Sequence, residues 1–235
     1  AAFDPHNLMN PGKIVDAPGP TDHLRHPPTE KPLELPTVLD FSDQGGLLAA
    51  TSLCSGVGVC RKLGSGTMCP SFMATRDEEH STRGRANALR LVLTGALPKE
   101  ELTGKRLYDT YSLCLQCKGC KGECPSNVDV ARLKSEFLHG YWQPHGTPLR
   151  VKVMGNIARL NRIGSAFAPL SNLVAASAPN RWLMEKLLGI DRRRSLLPFS
   201  HDTFRGWFTR RDATPREVKH GDVVLLNDCL TGYSE

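Results

Sequence analysis

The stretch CLQCKGCKGECP constrains the fold more than any other feature of the chain. Its spacing is C-x2-C-x2-C-x3-C-P, with the cysteines at Cys114, Cys117, Cys120 and Cys124. Three thiolates at this interval can bind different irons of one cubane cluster. The fourth cysteine follows a longer spacer, and in two-cluster proteins it binds the other cluster. The run therefore predicts an iron–sulfur domain with two clusters.

A second cysteine set lies upstream in the stretch CSGVGVCRKLGSGTMCP. Its members are Cys54, Cys60 and Cys69, and a proline follows the last of them. When the two sets are aligned, Cys54 and Cys60 take the outer positions of C-x2-C-x2-C, and Val57 takes the middle position. The spacer before Cys69 has grown to eight residues and contains two glycines, which permit a loop.

If the cysteine of each C-P pair binds the other set's cluster, the ligands form two groups. We expect a 4Fe-4S cluster on Cys69, Cys114, Cys117 and Cys120. The second group has only three thiolates, namely Cys54, Cys60 and Cys124. Since Val57 replaces the fourth, we expect either a 3Fe-4S cluster or a 4Fe-4S cluster with water, hydroxide or another side chain as its last ligand.

Three alternatives stay open for these cysteines. Structural zinc sites also use four thiolates, although they more often combine two separated C-x2-C pairs. A disulfide framework is typical of small secreted proteins, but the first residues, AAFDPHNLMN, lack the basic start and apolar stretch of a signal peptide. Cys54, Cys60 and Cys124 could also pack without binding a cluster. The eighth cysteine, Cys229, stands alone and is interpreted as a structural thiol.

The composition limits the other classes of function. The chain has 235 residues, of which 40% are hydrophobic and 23% charged, as in a globular protein of one or two domains. Its net charge of +6 comes without interleaved aromatic residues, so no nucleic acid partner is expected. Residues 163–180 are uncharged but contain prolines, asparagines and serines, which argue against a membrane span and leave an interfacial helix as an alternative.

Local patterns predict a mainly α fold, a helical ferredoxin domain with short β segments at its edges. In residues 38–146 we expect a helix over GRANALRLVLT, a second from about Glu100 into RLYDTYSLCLQC, and a third over NVDVARLKSEFLHGYW. Ser81 or Thr82 is expected to cap the first helix, and Ser126 or Asn127 the third. The β segments are expected in TVLDFSDQGGLLAAT and in VVLLN near the end of the chain.

Four regions are predicted along the chain. Residues 1–37 form the tail of an upstream domain and a proline-rich linker, and 38–146 form the iron–sulfur domain. Residues 147–218 form a helical connector with breaks at Gly155, Pro169, Pro179 and Pro198. Residues 219–235 begin a domain whose remainder is missing. We therefore expect this sequence to be an internal piece of a larger polypeptide.

The stretches GTMCPSFMATRDEEHSTRGRANALR and CLQCKGCKGECPSNVDVARLKSEFL resemble the iron–sulfur portion of FAD-linked oxidases of the D-lactate and glycolate dehydrogenase type. In that family a flavin domain is fused to, or partnered with, a ferredoxin-like domain and a cysteine-rich domain. The start FDPHNLMNPGKI is similar to the end of the flavoprotein, and the resemblance implies that Asn10 lies near its FAD. The alternative for Asn10 is a simple Asn-Pro turn.

The central region is also similar to the helical part of the succinate dehydrogenase iron–sulfur subunit. There, a C-x5-C motif with an aliphatic middle residue holds a three-iron cluster, and Val57 fits that position, although the long spacer before Cys69 departs from it. Arg83 and Arg85, near Cys69 in the sequence, are expected either to offset the negative charge of a cluster or to form surface salt bridges.

The resemblance implies electron transfer from a reduced flavin through the clusters to a quinone or a soluble carrier. The flavin domain, fused or separate, is then the partner that oxidises a D-2-hydroxy acid, and this chain contributes no catalytic residue. We expect a cytoplasmic protein, at most peripheral at the inner face of the membrane. The alternatives are a separate ferredoxin-like subunit of a flavoprotein complex and a module of the heterodisulfide reductase kind.

Overall fold

The computed structural model describes residues 3–22, 24–26, 30–211, 224–228 and 232–233. Within these ranges the chain is mainly helical and contains no strand, so the predicted mainly α fold is confirmed. The chain divides into two compact units, residues 1–145 and 146–235. The α-helices are α1 (Leu47–Ser52), α2 (Pro70–Thr75), α3 (Thr82–Leu93), α4 (Lys105–Ser112), α5 (Gly119–Glu123), α6 (Val130–His145), α7 (Leu149–Gly155), α8 (Ile157–Ala166), α9 (Ala168–Ala176), α10 (Ala178–Leu188) and α11 (Phe204–Arg210).

The first unit is built around α3, which packs against α1, α4 and α6. Short 3-10 helices connect these elements at Ser42–Gln44, Val59–Arg61, Glu78–His80 and Lys99–Thr103. Leu89 and Leu93 of α3 are buried one helical turn apart, and they join the core residues of α6. Tyr111 of α4 stacks on Phe137 of α6 with ring centroids 5.1 Å apart. The core therefore holds α3, α4 and α6 together beside the cysteines.

The ends of α3 follow the sequence prediction. The Ser81 hydroxyl accepts a hydrogen bond from the Gly84 amide at 2.9 Å and so caps the first turn. After α3, Gly95 adopts a φ of +76°, a left-handed conformation that glycine tolerates without strain. The predicted helix and its Ser81 cap are confirmed.

The start of α6 differs from the prediction. Neither Ser126 nor Asn127 caps the helix, because α6 begins only at Val130. The Asp129 carboxylate accepts a hydrogen bond from the Arg132 amide at 3.0 Å and acts as the cap. Asn127 instead has a φ of +54° and lies in the turn after Cys124, whose carbonyl accepts a hydrogen bond from the Asn127 amide at 2.8 Å.

The predicted β segments are not found in the described residues. The stretch 37–51 contains a 3-10 helix and most of α1, and the left-handed Gly45 and Gly46 separate the two. Residues 224–228 form no strand, and Val224 is 95% exposed. Because a strand needs a paired neighbour, an apolar sequence alone does not decide the structure of either stretch. Cys229 and Val223 lie outside the described residues.

The C-terminal end of the proline-rich segment is hydrogen-bonded to the helices of the first unit. The Leu33 amide donates to the Leu93 carbonyl at 2.8 Å, and the Val38 and Leu39 amides both donate to the Glu136 carboxylate at 3.0 Å. These bonds satisfy backbone groups that have no helical partner of their own.

The second unit contains α7 to α11. Pro169 and Pro179 each occupy the first turn of a helix, where a missing amide hydrogen costs no helical bond, and Gly155 ends α7. Asn172 of α9 exchanges hydrogen bonds with the backbone of Phe199, at 2.9 Å to its carbonyl and 2.7 Å from its amide. Across the described parts of the chain, no helix combines the length and apolarity needed to cross a membrane.

Candidate metal centres

Seven cysteines of the first unit line two separate cavities. One cavity is lined by Cys69, Cys114, Cys117 and Cys120, which we call the four-cysteine site. The other is lined by Cys54, Cys60 and Cys124, the three-cysteine site. All seven are free thiols. The structure thus brings the cysteines together in the two groups that the spacing predicts, with each C-P cysteine beside the other set.

Short turns present the thiols of the four-cysteine site. Cys69 immediately precedes α2, and Cys120 lies in α5. Cys114 follows α4 and donates its amide to the Tyr111 carbonyl at 3.0 Å. The chain then reverses through Lys118, whose φ is +59°. Cys120 and Cys69 are buried and Cys117 is exposed, so one side of the site faces solvent.

The N-terminus of α6 faces the four-cysteine site. Val130 and Ala131 line its cavity, and their backbone amides donate toward the Cys120 sulfur. Burial nevertheless raises the pKa of the Cys120 thiol, because it outweighs these hydrogen bonds. Amide hydrogens at a helix N-terminus favour a negative charge, so this end of α6 suits a thiolate-bound cluster.

The N-terminus of α3 faces the three-cysteine site, as that of α6 faces the four-cysteine site. The Arg83 amide and the Ser81 hydroxyl donate toward the Cys60 sulfur. Burial raises the pKa of Cys60 despite these donors. The two sites are therefore built alike, each with a helix N-terminus directed at a cysteine.

Cys69 has a different environment from the other buried cysteines. Burial alone raises the pKa of its thiol, but hydrogen bonds from the Ser71 hydroxyl and the Phe72 amide, together with the charge of Arg85, lower that pKa overall. The Arg85 Nη1 atom lies 3.7 Å from the Cys69 sulfur. Cys69 is thus held in surroundings that favour its thiolate, the form that binds iron.

Basic side chains lie beside both sites. Lys134 is 8% exposed and donates to the Cys114 carbonyl at 2.7 Å, and burial lowers its pKa. At the three-cysteine site, Arg83 pairs with Glu78 at 2.6 Å and donates to the Gly56 carbonyl at 3.2 Å. The sequence leaves two roles open for Arg83 and Arg85, and the structure separates them, since Arg83 forms the salt bridge and Arg85 is buried.

The chemistry of the donor sets fits iron–sulfur clusters. Each site combines free thiols with helix amides, and the buried Nη2 atom of Arg85 has no hydrogen-bond partner within the described structure. In the same part of the chain, no three His, Cys, Asp or Glu side chains converge closely enough for a single metal ion. A zinc ion holds each sulfur at about 2.3 Å, whereas a cubane spreads its thiolates around a larger body.

Two predicted positions lie apart from the thiols. Val57 borders the three-cysteine site in a loop between the left-handed Gly56 and Gly58, and its side chain is 65% exposed. Asn10 is exposed, has a φ of +54° and lines neither cavity. A left-handed φ is common for asparagine in turns. The predicted roles of both residues stay predictions.

Sequence reasoning missed Lys134 and Glu123. Lys134 occupies an ordinary charged position in a predicted helix, and no sequence signal indicates its burial. Glu123 accepts hydrogen bonds from the Met68 amide at 3.2 Å and from the Thr67 amide, and it pairs with Lys62. The only feature of the sequence that points to Glu123 is its position immediately before Cys124 of a C-P pair.

Comparison with known proteins adds to this geometry. Residues 53–129 match the 4Fe-4S dicluster domain family. The chain is 29% identical to a D-2-hydroxyglutarate dehydrogenase of Pseudomonas putida, over 100% of the chain and 27% of that protein. It therefore spans little more than a quarter of that relative's length. No solved structure matches the chain at a significant level.

Two shorter matches cover the cysteine-rich region. One is a subunit of the anaerobic glycerol-3-phosphate dehydrogenase of Escherichia coli, 30% identical over 37% of the chain and 22% of that protein. The other is a probable glycolate oxidase iron-sulfur subunit of Bacillus subtilis, 33% identical over 40% of the chain and 18% of that protein. Residues 53–129 are therefore similar to 4Fe-4S dicluster domains, in a chain that is similar to a D-2-hydroxyglutarate dehydrogenase, to a glycerol-3-phosphate dehydrogenase subunit and to a probable glycolate oxidase iron-sulfur subunit.

Proposed function

We propose that this chain is the electron-transfer section of an FAD-linked D-2-hydroxy-acid dehydrogenase. Its partner is a flavin domain that oxidises the substrate, and the chain delivers the electrons to an external quinone or soluble carrier. The observation that carries the proposal is the grouping of seven free thiols into a set of four and a set of three within one helical unit.

The residues of the chain have separate tasks in this proposal. Cys69, Cys114, Cys117 and Cys120 bind a 4Fe-4S cluster, while Cys54, Cys60 and Cys124 bind a second cluster, which we propose to be 3Fe-4S. When bound, such clusters accept and release single electrons. The N-terminal amides of α3 and α6 stabilise the negative charge at each site, and the surrounding core limits access of water.

The electron count explains why two clusters suit this role. Oxidation of a 2-hydroxy acid to a 2-oxo acid releases two electrons and two protons, and a flavin accepts the pair. The flavin must then pass the electrons on singly. Two one-electron sites in the same unit allow this, while the thiol ligands themselves undergo no net change.

The relatives support this interpretation and one alternative. The Pseudomonas putida relative is named a D-2-hydroxyglutarate dehydrogenase and is much longer than this chain, which favours fusion to a substrate-oxidising part. The Bacillus subtilis relative is named an iron-sulfur subunit, which favours a separate subunit that docks onto a flavoprotein. We propose the fused arrangement, in a cytoplasmic protein that is at most peripheral at the membrane.

The test uses the full-length polypeptide and its Cys117→Ser variant, both purified without oxygen. D-2-hydroxyglutarate is added first, and a soluble dye that accepts single electrons follows. We expect the substrate to bleach the flavin in both proteins, but we expect fast reduction of the dye only where Cys117 is present. Cys229→Ser serves as the matched control and should behave as the native protein. Equal dye reduction by the Cys117→Ser variant, or the absence of any flavin, would contradict the proposal.

A further inference from the structure

Arg85 is a buried cation without a carboxylate partner among the described residues. Its side chain is 0% exposed, and within the described residues it forms no ion pair with a carboxylate. Its hydrogen bonds to oxygen atoms go to neutral acceptors, namely the Ser71 hydroxyl at 2.9 Å, the His80 carbonyl at 2.7 Å and the Thr110 carbonyl at 2.9 Å. The Nη2 atom is buried and has no hydrogen-bond partner there. An uncompensated guanidinium in the interior is unfavourable, so a further negative group is expected beside it.

The position of Arg85 indicates what that group is. Arg85 lines the four-cysteine site, and its Nη1 atom lies 3.7 Å from the Cys69 sulfur. The Tyr111 hydroxyl donates to the Arg85 carbonyl at 3.1 Å, and the Thr110 carbonyl accepts a hydrogen bond from the Arg85 Nε–H, so both ends of the residue are fixed. The guanidinium is therefore held rigidly beside the thiols and is not free to swing toward solvent.

No cation that lines the three-cysteine site among the described residues is fully buried. Arg83 lines it, but its side chain is 26% exposed and pairs with Glu78 at 2.6 Å, while Arg25 donates to the Cys54 carbonyl without lining the cavity. The four-cysteine site faces both Arg85 and the buried Lys134. The two sites thus differ in that a fully buried guanidinium lines only the four-cysteine site within the described residues.

We propose that Arg85 donates hydrogen bonds to the sulfurs of the cluster at the four-cysteine site and raises its reduction potential. This inference rests on the proposed function, because it requires a cluster there. A cluster with four thiolates is negatively charged, and the electron that it accepts from the flavin adds one more negative charge. A fixed cation stabilises the reduced state more than the oxidised state, so the potential rises. No bond forms or breaks in this step.

The test is a redox titration of the holoprotein followed by electron paramagnetic resonance. Arg85→Gln removes the charge, and we expect a downward shift of the midpoint potential of the four-cysteine cluster. Arg85→Lys retains a charge but loses the planar pair of donors, and we expect a smaller shift in the same direction. Arg106→Gln is the matched control and should leave this midpoint unchanged, because Arg106 is an exposed arginine of α4 that pairs with Glu79 and lines neither cavity. Unchanged midpoints in both Arg85 variants would overturn the inference.

A second measurement tests the inference even if the Arg85 variants fail to assemble the cluster. In the Arg83→Gln holoprotein, labelled with ¹⁵N only in arginine, pulsed electron paramagnetic resonance of the reduced cluster should detect a ¹⁵N coupling. The absence of that coupling would overturn the inference without any change at Arg85. If the unsubstituted protein shows no four-iron signal at all, it is the proposed function that fails, and the two failures are distinguished.

Discussion

The carboxylate of Glu123 accepts a hydrogen bond from the Met68 amide at 3.2 Å, which ties together the residues that precede the two C-P cysteines. Hydrogen bonds from Lys62 and from the Thr67 amide complete its surroundings, and together these donors lower the pKa of Glu123 to about 2. Cys69 and Cys124, the two cysteines that follow these residues, lie at different sites. The Glu123 side chain therefore links the segment that contains Cys124 to the backbone that precedes Cys69.

Glu123→Gln should weaken the retention of both clusters. The amide retains one acceptor oxygen but loses the negative charge that the Lys62 ammonium and the two backbone amides stabilise. We expect faster loss of the visible iron–sulfur absorption in the presence of a chelator. Asp109→Asn is the control, because it removes an exposed ion pair with Lys105 on α4. Equal rates of bleaching in the two variants would show that the link contributes nothing.

Cys117→Ser should remove the four-cysteine cluster and leave the other. The alcohol is a poor replacement for a thiolate ligand, so iron should fall from about seven to about three atoms per chain. Iron analysis of the anaerobically purified variant measures this, with Cys229→Ser as a control that retains all its iron. Full iron content in the Cys117→Ser variant would remove Cys117 from the ligand set.

Val57→Cys should convert the second cluster from the three-iron to the four-iron type. Val57 borders the three-cysteine site and occupies the position where a middle thiolate is expected. The oxidised native protein should give a three-iron signal in electron paramagnetic resonance, and the variant should be silent in the same state. A silent native protein with about eight irons per chain would instead indicate two four-iron clusters and a ligand other than a cysteine.

Removal of iron should unfold the first unit. Its cysteine loops contain several glycines, which favour the unfolded chain entropically, so binding of the clusters contributes to the free energy of folding. Chelation under reducing conditions should lower the helical circular dichroism and expose residues 50–145 to protease. An iron-free protein with native helicity and an unchanged melting temperature would contradict this expectation.

Leu89→Ala should destabilise the holoprotein strongly. Leu89 is 2% exposed in the middle of α3, and truncation of a buried leucine typically costs about 2–5 kcal/mol. We expect a lower melting temperature measured without oxygen, together with earlier loss of the visible absorption. Leu97→Ala provides the control, since Leu97 is 40% exposed. Similar melting temperatures for the two variants would mean that α3 is not central to the core.

Sequence spacing indicates the arrangement of the cysteines well. Cys124 and Cys69 each follow a longer spacer than the other cysteines of their set. The length of the spacer determines which cluster a cysteine can reach, so the grouping can be predicted from the number of residues between the thiols. The structure shows the same two groups of cysteines, although binding of the clusters stays a prediction. The α3 cap at Ser81 is likewise a local signal and is confirmed.

Long-range relationships cannot be predicted in this way. Arg83 and Arg85 have the same side chain in the same motif. In an α-helix, however, residues two positions apart are separated by about 200° around the helix axis. Only the packing of α3 determines that Arg85 points inward and Arg83 toward Glu78. The prediction of a β segment at α1 is wrong because a short apolar run fits either structure, and the packing of α1 against α3 decides the outcome.

The presence of two iron–sulfur clusters of different type on the seven cysteines can be measured by electron paramagnetic resonance with iron analysis of the same anaerobically purified sample. We expect about seven irons per chain, a three-iron signal after oxidation and a separate four-iron signal after reduction. A chain that contains zinc in place of iron, or a single cluster that survives the Cys117→Ser and Cys60→Ser substitutions alike, would contradict this assignment.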